Sequence, residues 1–72
     1  MKKYSVIIAG QHSTSISLEE DFYQVLLNIA KEKNITQFAL ITEIDLARTT
    51  PNLSSAIRVY ILKYLQDKLK QF

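Results

Sequence analysis

A chain of 72 residues with no cysteine and one histidine excludes a disulfide framework, a thiolate zinc site and a histidine-built metal cluster. The net charge of +2 permits nucleic-acid binding without demanding it. Hydrophobic residues make up 47% of the chain, whereas a domain this short buries only about 60% of its unfolded surface, so a strongly apolar chain without a covalent staple is expected to self-associate.

The apolar, β-branched run Tyr4-Ser-Val-Ile-Ile-Ala9 reads as a first strand. Gly10-Gln11-His12 reads as a turn. Ser13 to Leu18 alternates and reads as a second strand, with Ile16 and Leu18 on one face and Ser15 and Ser17 on the other. The alternation stops at Glu19-Glu20-Asp21, and a helix over about 20–33 begins. Its stripe is Phe22, Val25, Leu26, Ile29 and Ala30, spaced i, i+3, i+4, i+7, i+8. Ser17 and Glu20 have capping-box spacing, but a cap at Ser17 would shorten the strand, so Glu19 is the preferred junction. The second strand leaves no room for a hairpin partner after it. It must pair with the N-terminal run or with a second copy of the chain.

Asn34-Ile35-Thr36 reads as a tight helix connection, with Asn34 suited to a left-handed position and Thr36 to an N-cap. A second helix is expected over about 37–47, with Phe38, Leu40, Ile41 and Ile44 inward. Pro51 interrupts the helical pattern, and Asn52 caps a third helix over about 53–70. Its expected core residues are Leu53, Ile57, Tyr60, Ile61, Tyr64, Leu65 and Leu69, and Val59 and Leu62 widen the apolar surface sideways. A helix apolar over more than one stripe packs against two neighbours. Tyr4, Tyr23, Tyr60 and Tyr64 are most economically core or interface residues. The whole of 1–72 reads as one domain: a short β ribbon followed by three helices.

The order strand, helix, tight turn, helix resembles the ribbon-helix-helix family of DNA-binding proteins, to which the Arc and Met repressors belong. Two stretches carry the likeness to a small bacterial subgroup: Gly10 with His12-Ser-Thr-Ser-Ile-Ser-Leu-Glu19, and Asn52-Leu-Ser-Ser-Ala-Ile-Arg-Val59. Gln11 is an extra residue between the Gly and the His of that pattern. The resemblance implies an intertwined homodimer in which a strand of each subunit pairs antiparallel with its mate and the outward side chains enter the DNA major groove. The outward positions would be Ser13, Ser15 and Ser17, and Thr36 with Gln37 at the second helix start would hold a backbone phosphate. The Asn52 helix start is an equally good anion site by local chemistry. Lys2 and Lys3 would add sequence-independent attraction to phosphates.

Each of these signals also has a plainer explanation. Serines along a strand are commonly a solvated face, and serine discriminates bases poorly. His12 reads as a turn residue. Glu19, Glu20 and Asp21 read as charge at a helix N-terminus. Arg58 lies among apolar neighbours and is expected to pair with Asp45 or Glu43. The chain holds no Gly-rich phosphate loop, nucleophile elbow or paired metal-ligand spacing, so an enzyme is not expected, nor a cofactor. With no 18-residue apolar run and no signal-peptide pattern, a cytoplasmic location without a membrane partner is expected. The reading is a homodimeric, double-stranded-DNA-binding transcriptional regulator. The alternative is an interaction or antitoxin-like module that uses the same scaffold to hold a partner protein.

Overall fold

The two N-terminal apolar runs pair with each other. In the computed structural model, which describes residues 1–8 and 12–70, β1 (Lys2–Ile8) and β2 (His12–Leu18) form one antiparallel two-stranded sheet. Tyr4 lies opposite Ile16, and Ser5 lies opposite Ser15. Three helices follow: α1 (Glu20–Glu32), α2 (Gln37–Ala47) and α3 (Leu53–Leu69). A β ribbon with three helices is the architecture expected from the sequence. The ladder, however, starts at Lys2 rather than Tyr4, because a strand needs a partner for its backbone and not an apolar side chain at every position. His12 belongs to β2 and not to a turn; Ala9, Gly10 and Gln11 lie outside the described residues.

The two strands share one core face. Val6, Ile16 and Leu18 are buried, while Lys3, Ser5, Ile7, Ser13 and Ser15 are exposed. Strand side chains alternate across the sheet, so the helices pack under the first set and leave the second outside. Ser17 has the outward phase but is half-buried, because the start of α3 sits beside it.

Glu19 is the junction between β2 and α1, with extended backbone and no side-chain cap bond. Glu20 and Asp21 in the first turn and Lys31 in the last complement the helix dipole. The exit from α1 is a Schellman turn. The Ile35 amide donates to the Ala30 carbonyl and the Asn34 amide to the Lys31 carbonyl, both at 3.0 Å. Asn34 has φ 60°, a left-handed conformation that asparagine tolerates better than most residues with a Cβ. Thr36 then caps α2, its side chain accepting from the Ala39 amide at 3.0 Å, and Asn52 caps α3 by accepting from Ser55 at the same distance.

The core is built from Leu26, Ile29 and Ala30 of α1, Leu40, Ile41 and Ile44 of α2, Leu53, Ala56, Ile57 and Ile61 of α3, and the inner face of the sheet. Three expectations fail. Phe38 is 47% exposed, Leu65 42% and Leu69 72%. Leu40 and Ile41 are fully buried in the core, and α3 runs past the end of that core, so among the described residues nothing covers the outer side of its last two turns. Phe22 and Val25 are half-buried at the edge of the cluster, and all four tyrosines pack part-way against it.

Surface ion pairs follow helix neighbours. Lys33 pairs with Glu43 at 3.1 Å and donates to the Tyr60 hydroxyl at the same distance. The Tyr60 hydroxyl first, and then Glu43, hold the Lys33 ammonium above its ordinary pKa. Arg48 pairs with Asp45 at 2.9 Å. Lys68 pairs with Glu32, and Tyr64 donates to the same carboxylate.

Candidate nucleic-acid interface

The outward face of the sheet is a small polar plane. The register places Lys3 opposite Ser17, Ser5 opposite Ser15 and Ile7 opposite Ser13. The three serines expected from the sequence therefore share their face with three residues of β1. Lys2 has the opposite phase, across from Leu18, yet is exposed at the first residue of the strand. His12 is exposed at the other end of the ladder. No carboxylate lies on this face among the described residues. Hydroxyls and an ammonium on a solvent-exposed strand pair can donate to phosphate oxygens and to base edges.

β2 is tied down on its outer edge. The Ser17 amide donates to Ser54 Oγ at 2.9 Å, and the Ser17 carbonyl accepts from Arg58 Nη2 at 2.9 Å. Both backbone groups of Ser17 therefore point away from β1, as in a non-hydrogen-bonded pair of an antiparallel ladder. Arg58 Nε also pairs with Glu19 at 3.3 Å. The Glu19 carboxyl is held below its ordinary value by its own backbone amide, and then by the Arg58 guanidinium against a desolvation cost. Asp45 and Glu43, the expected partners of Arg58, belong to Arg48 and Lys33 instead. On α3, Arg58 faces the strand end, and the nearest carboxylate there is the one that starts α1. One acid beside the ribbon is thereby neutralised; Glu20 and Asp21 remain exposed.

The start of α2 lies beside β1. Ser5, Val6 and Ile7 of the strand and Gln37, Phe38 and Ile41 of the helix line an open groove of about 580 Å³. Gln37 was expected to hold a phosphate together with Thr36. Its side-chain amide is already committed, donating to the Tyr23 hydroxyl at 2.9 Å. Tyr23 stacks on Tyr4, with ring centroids 3.7 Å apart, so β1, α1 and the start of α2 are joined by one polar-aromatic chain. Gln37 thus locks the helix start in place, with one of its two side-chain N–H donors spent on Tyr23. The Thr36 hydroxyl serves as the cap. The rival anion site at Asn52 adjoins the end of β2, where Ser54 Oγ already accepts from Ser17.

The chain matches the model of the ribbon-helix-helix domain over residues 1–65. It belongs to the ribbon-helix-helix family. Comparison with curated proteins and with solved structures gives no significant match. Ribbon-helix-helix domains are typically DNA-binding regulators or antitoxins, and generally not enzymes. In this member the ribbon is formed within one chain, by β1 and β2, whereas the resemblance implied a strand from each of two subunits. Among the described residues, no helix is long and apolar enough to cross a membrane.

Ser5 and Ile7 are site residues that the sequence does not single out, because Tyr4 to Ala9 reads as a plain apolar strand. The signal was present in Lys3-Tyr4-Ser5-Val6, a polar/apolar alternation in phase with Ser13-Thr14-Ser15-Ile16 once the two strands are set antiparallel. Ser54 and Arg58 as edge-binding groups carried no such signal, since the contact spans about half the chain.

Proposed function

We propose that this chain is a homodimeric DNA-binding protein of the transcriptional-regulator type, acting in the cytoplasm of a bacterium on double-stranded DNA, with no cofactor. The outward face of the ribbon enters the major groove, which admits a two-stranded β ribbon. Ser13, Ser15 and Ser17 on β2, with Lys3 and Ser5 on β1, meet the bases and the flanking phosphates. Lys2 adds phosphate attraction. The start of α2, at Thr36 and Gln37, offers free backbone amides to a phosphate beside the groove. The supporting observation is the polar outward face of the ribbon, free of acids among the described residues, with a helix start at its side.

A gel shift on genomic fragments at low and physiological salt tests this. The parent is expected to bind at low salt and to weaken steeply as salt rises. Joint replacement of Ser13, Ser15 and Ser17 by Ala should weaken binding while circular dichroism stays unchanged. Equal affinity of parent and triple variant would move the site elsewhere, with the Asn52 helix start next.

A second reading is favoured by the exposed apolar side of α3. Val59, Leu62, Leu65 and Leu69 all stand open to solvent, and such a patch on a small protein suits a partner protein. An interaction or antitoxin-like module uses this surface. Stoichiometric co-purification of a partner, with no DNA bound even at low salt, would select it.

A further inference from the structure

We propose that the cleft between α2 and α3 binds a small organic anion, with a carboxylate head and a compact apolar body. The cleft shares no lining residue with the outward face of the ribbon, so the site stands apart from the DNA-binding reading.

The link from Ala47 to Leu53 is short, and the two helices leave between them a cleft of about 390 Å³, a size that suits a small molecule. Ile44, Ala47 and Arg48 line it from α2, and Ala56, Val59 and Lys63 from α3. Each set lies along one helix face, at spacings of three and four residues. Ile44 and Ala56 are buried and form an apolar floor, while Val59 stands half open at the rim. Arg48 and Lys63 bring a cation from each helix.

The two cations differ in what holds them. Arg48 Nε pairs with Asp45 at 2.9 Å, and Nη1 donates to the Pro51 carbonyl at 2.6 Å and to the Thr50 carbonyl at 3.4 Å. These bonds fix the guanidinium at the end of α2 and leave the N–H donors of Nη2 outside them. A donor already fixed loses little freedom when a ligand arrives. Lys63 is exposed and pairs with no carboxylate among the described residues. No acid lines the cleft among those residues, and the two acids of α2 are taken, Asp45 by Arg48 and Glu43 by Lys33.

This chemistry selects the ligand. Two cations repel a cationic ligand, and an apolar floor gives a bare phosphate nothing to fill it. An apolar helix laid across the cleft would cover Lys63 without a counter-charge, which is unfavourable. A carboxylate on an apolar body supplies the charge to Arg48 and Lys63 and covers Ile44 and Ala56 at once.

Titration calorimetry of the full chain with naphthoate tests the site, and amide chemical-shift mapping locates it. Naphthamide lacks the charge, and acetate and inorganic phosphate lack the apolar body. Naphthoate should bind with a dissociation constant of about 1 mM or tighter, at least about tenfold tighter than any of the three controls, and should shift the amides of Ile44, Arg48 and Val59. Lys63→Gln should weaken naphthoate by roughly severalfold and leave naphthamide unchanged. Ala47→Leu narrows the cleft from its exposed rim and should weaken naphthoate by roughly tenfold. Arg48→Lys should do the same, because an ammonium cannot both hold the link and face the ligand. Circular dichroism checks each fold; should Arg48→Lys fail to fold, the Lys63 and Ala47 variants decide. Silence at millimolar naphthoate, equal binding of naphthamide, equal binding of phosphate, shifts confined to the ribbon, or unchanged affinity in both Lys63→Gln and Ala47→Leu each overturns the site. So does naphthoate affinity that falls as protein concentration rises, since a second copy would then cover the cleft.

Discussion

Arg58 does for the end of β2 what a neighbouring strand does elsewhere in a sheet: it donates to the outward carbonyl of Ser17, and it pairs with Glu19 where the chain turns into α1. A charge-assisted bond to a partly buried carbonyl contributes more than a neutral one. Arg58→Ala should therefore lower stability by roughly 1–2 kcal/mol in chemical denaturation. Arg58→Lys should recover little, because a single ammonium lacks the planar fork that reaches two acceptors. Acid titration reports on the same corner. Glu19 has its carboxyl pKa lowered by its own backbone amide and by Arg58, and Glu32 by hydrogen bonds from Lys68 and then Tyr64. A lowered folded-state pKa stabilises the fold above the ordinary value of 4.5, and that contribution fades as pH falls below it. Glu19→Gln and Glu32→Gln together should flatten the loss of melting temperature below that pH. At the alkaline end, hydrogen bonding to Glu32 raises the pKa of both Tyr64 and Lys68. Those contributions hold below the ordinary values of 10.0 and 10.5 and are lost as pH rises past them.

Among the elements, β2 and the start of α2 make opposite demands on their residues. Leu18 is fully buried while Ser15, three positions before it, is exposed. Leu18→Ala should cost roughly 2–5 kcal/mol and Ser15→Ala less than about 0.5 kcal/mol; denaturant midpoints measure both. A one-residue slip of register would reverse that order. At α2, Thr36→Ala removes the cap to the Ala39 amide and should cost about 1 kcal/mol. If the helix start also holds a phosphate, the same change weakens DNA binding alike for every sequence tested, since phosphate contacts carry no base information. Asn34→Gly should be tolerated, because the left-handed turn favours glycine, and Asn34→Val should not.

For the whole molecule, the unsatisfied surface is the leading fact. A 72-residue chain leaves Ile7, Phe38, Leu46, Val59, Leu62, Leu65 and Leu69 exposed, which is costly for a core this small. Folding linked to association makes the melting temperature rise with protein concentration. A concentration-independent midpoint together with a sedimenting monomer would count against the dimer. If the dimer binds DNA, the log–log slope of affinity against salt should approach about −0.9 per phosphate neutralised.

Local chemistry alone determined the helix connections. Asn34, Thr36 and Asn52 turn and cap the chain through contacts within a few residues, so their roles are legible from spacing. The alternation of β2 likewise announced which side chains face the core. The sequence left open what β2 would pair with, and the tertiary structure chose β1. It also assigned Arg58 to Glu19 and Ser17, spent the Gln37 amide on Tyr23, and left Phe38 outside. These outcomes depend on which elements meet across long stretches of chain. A side chain's alphabet of possible partners is wide, and only the packed geometry brings one of them within hydrogen-bond distance.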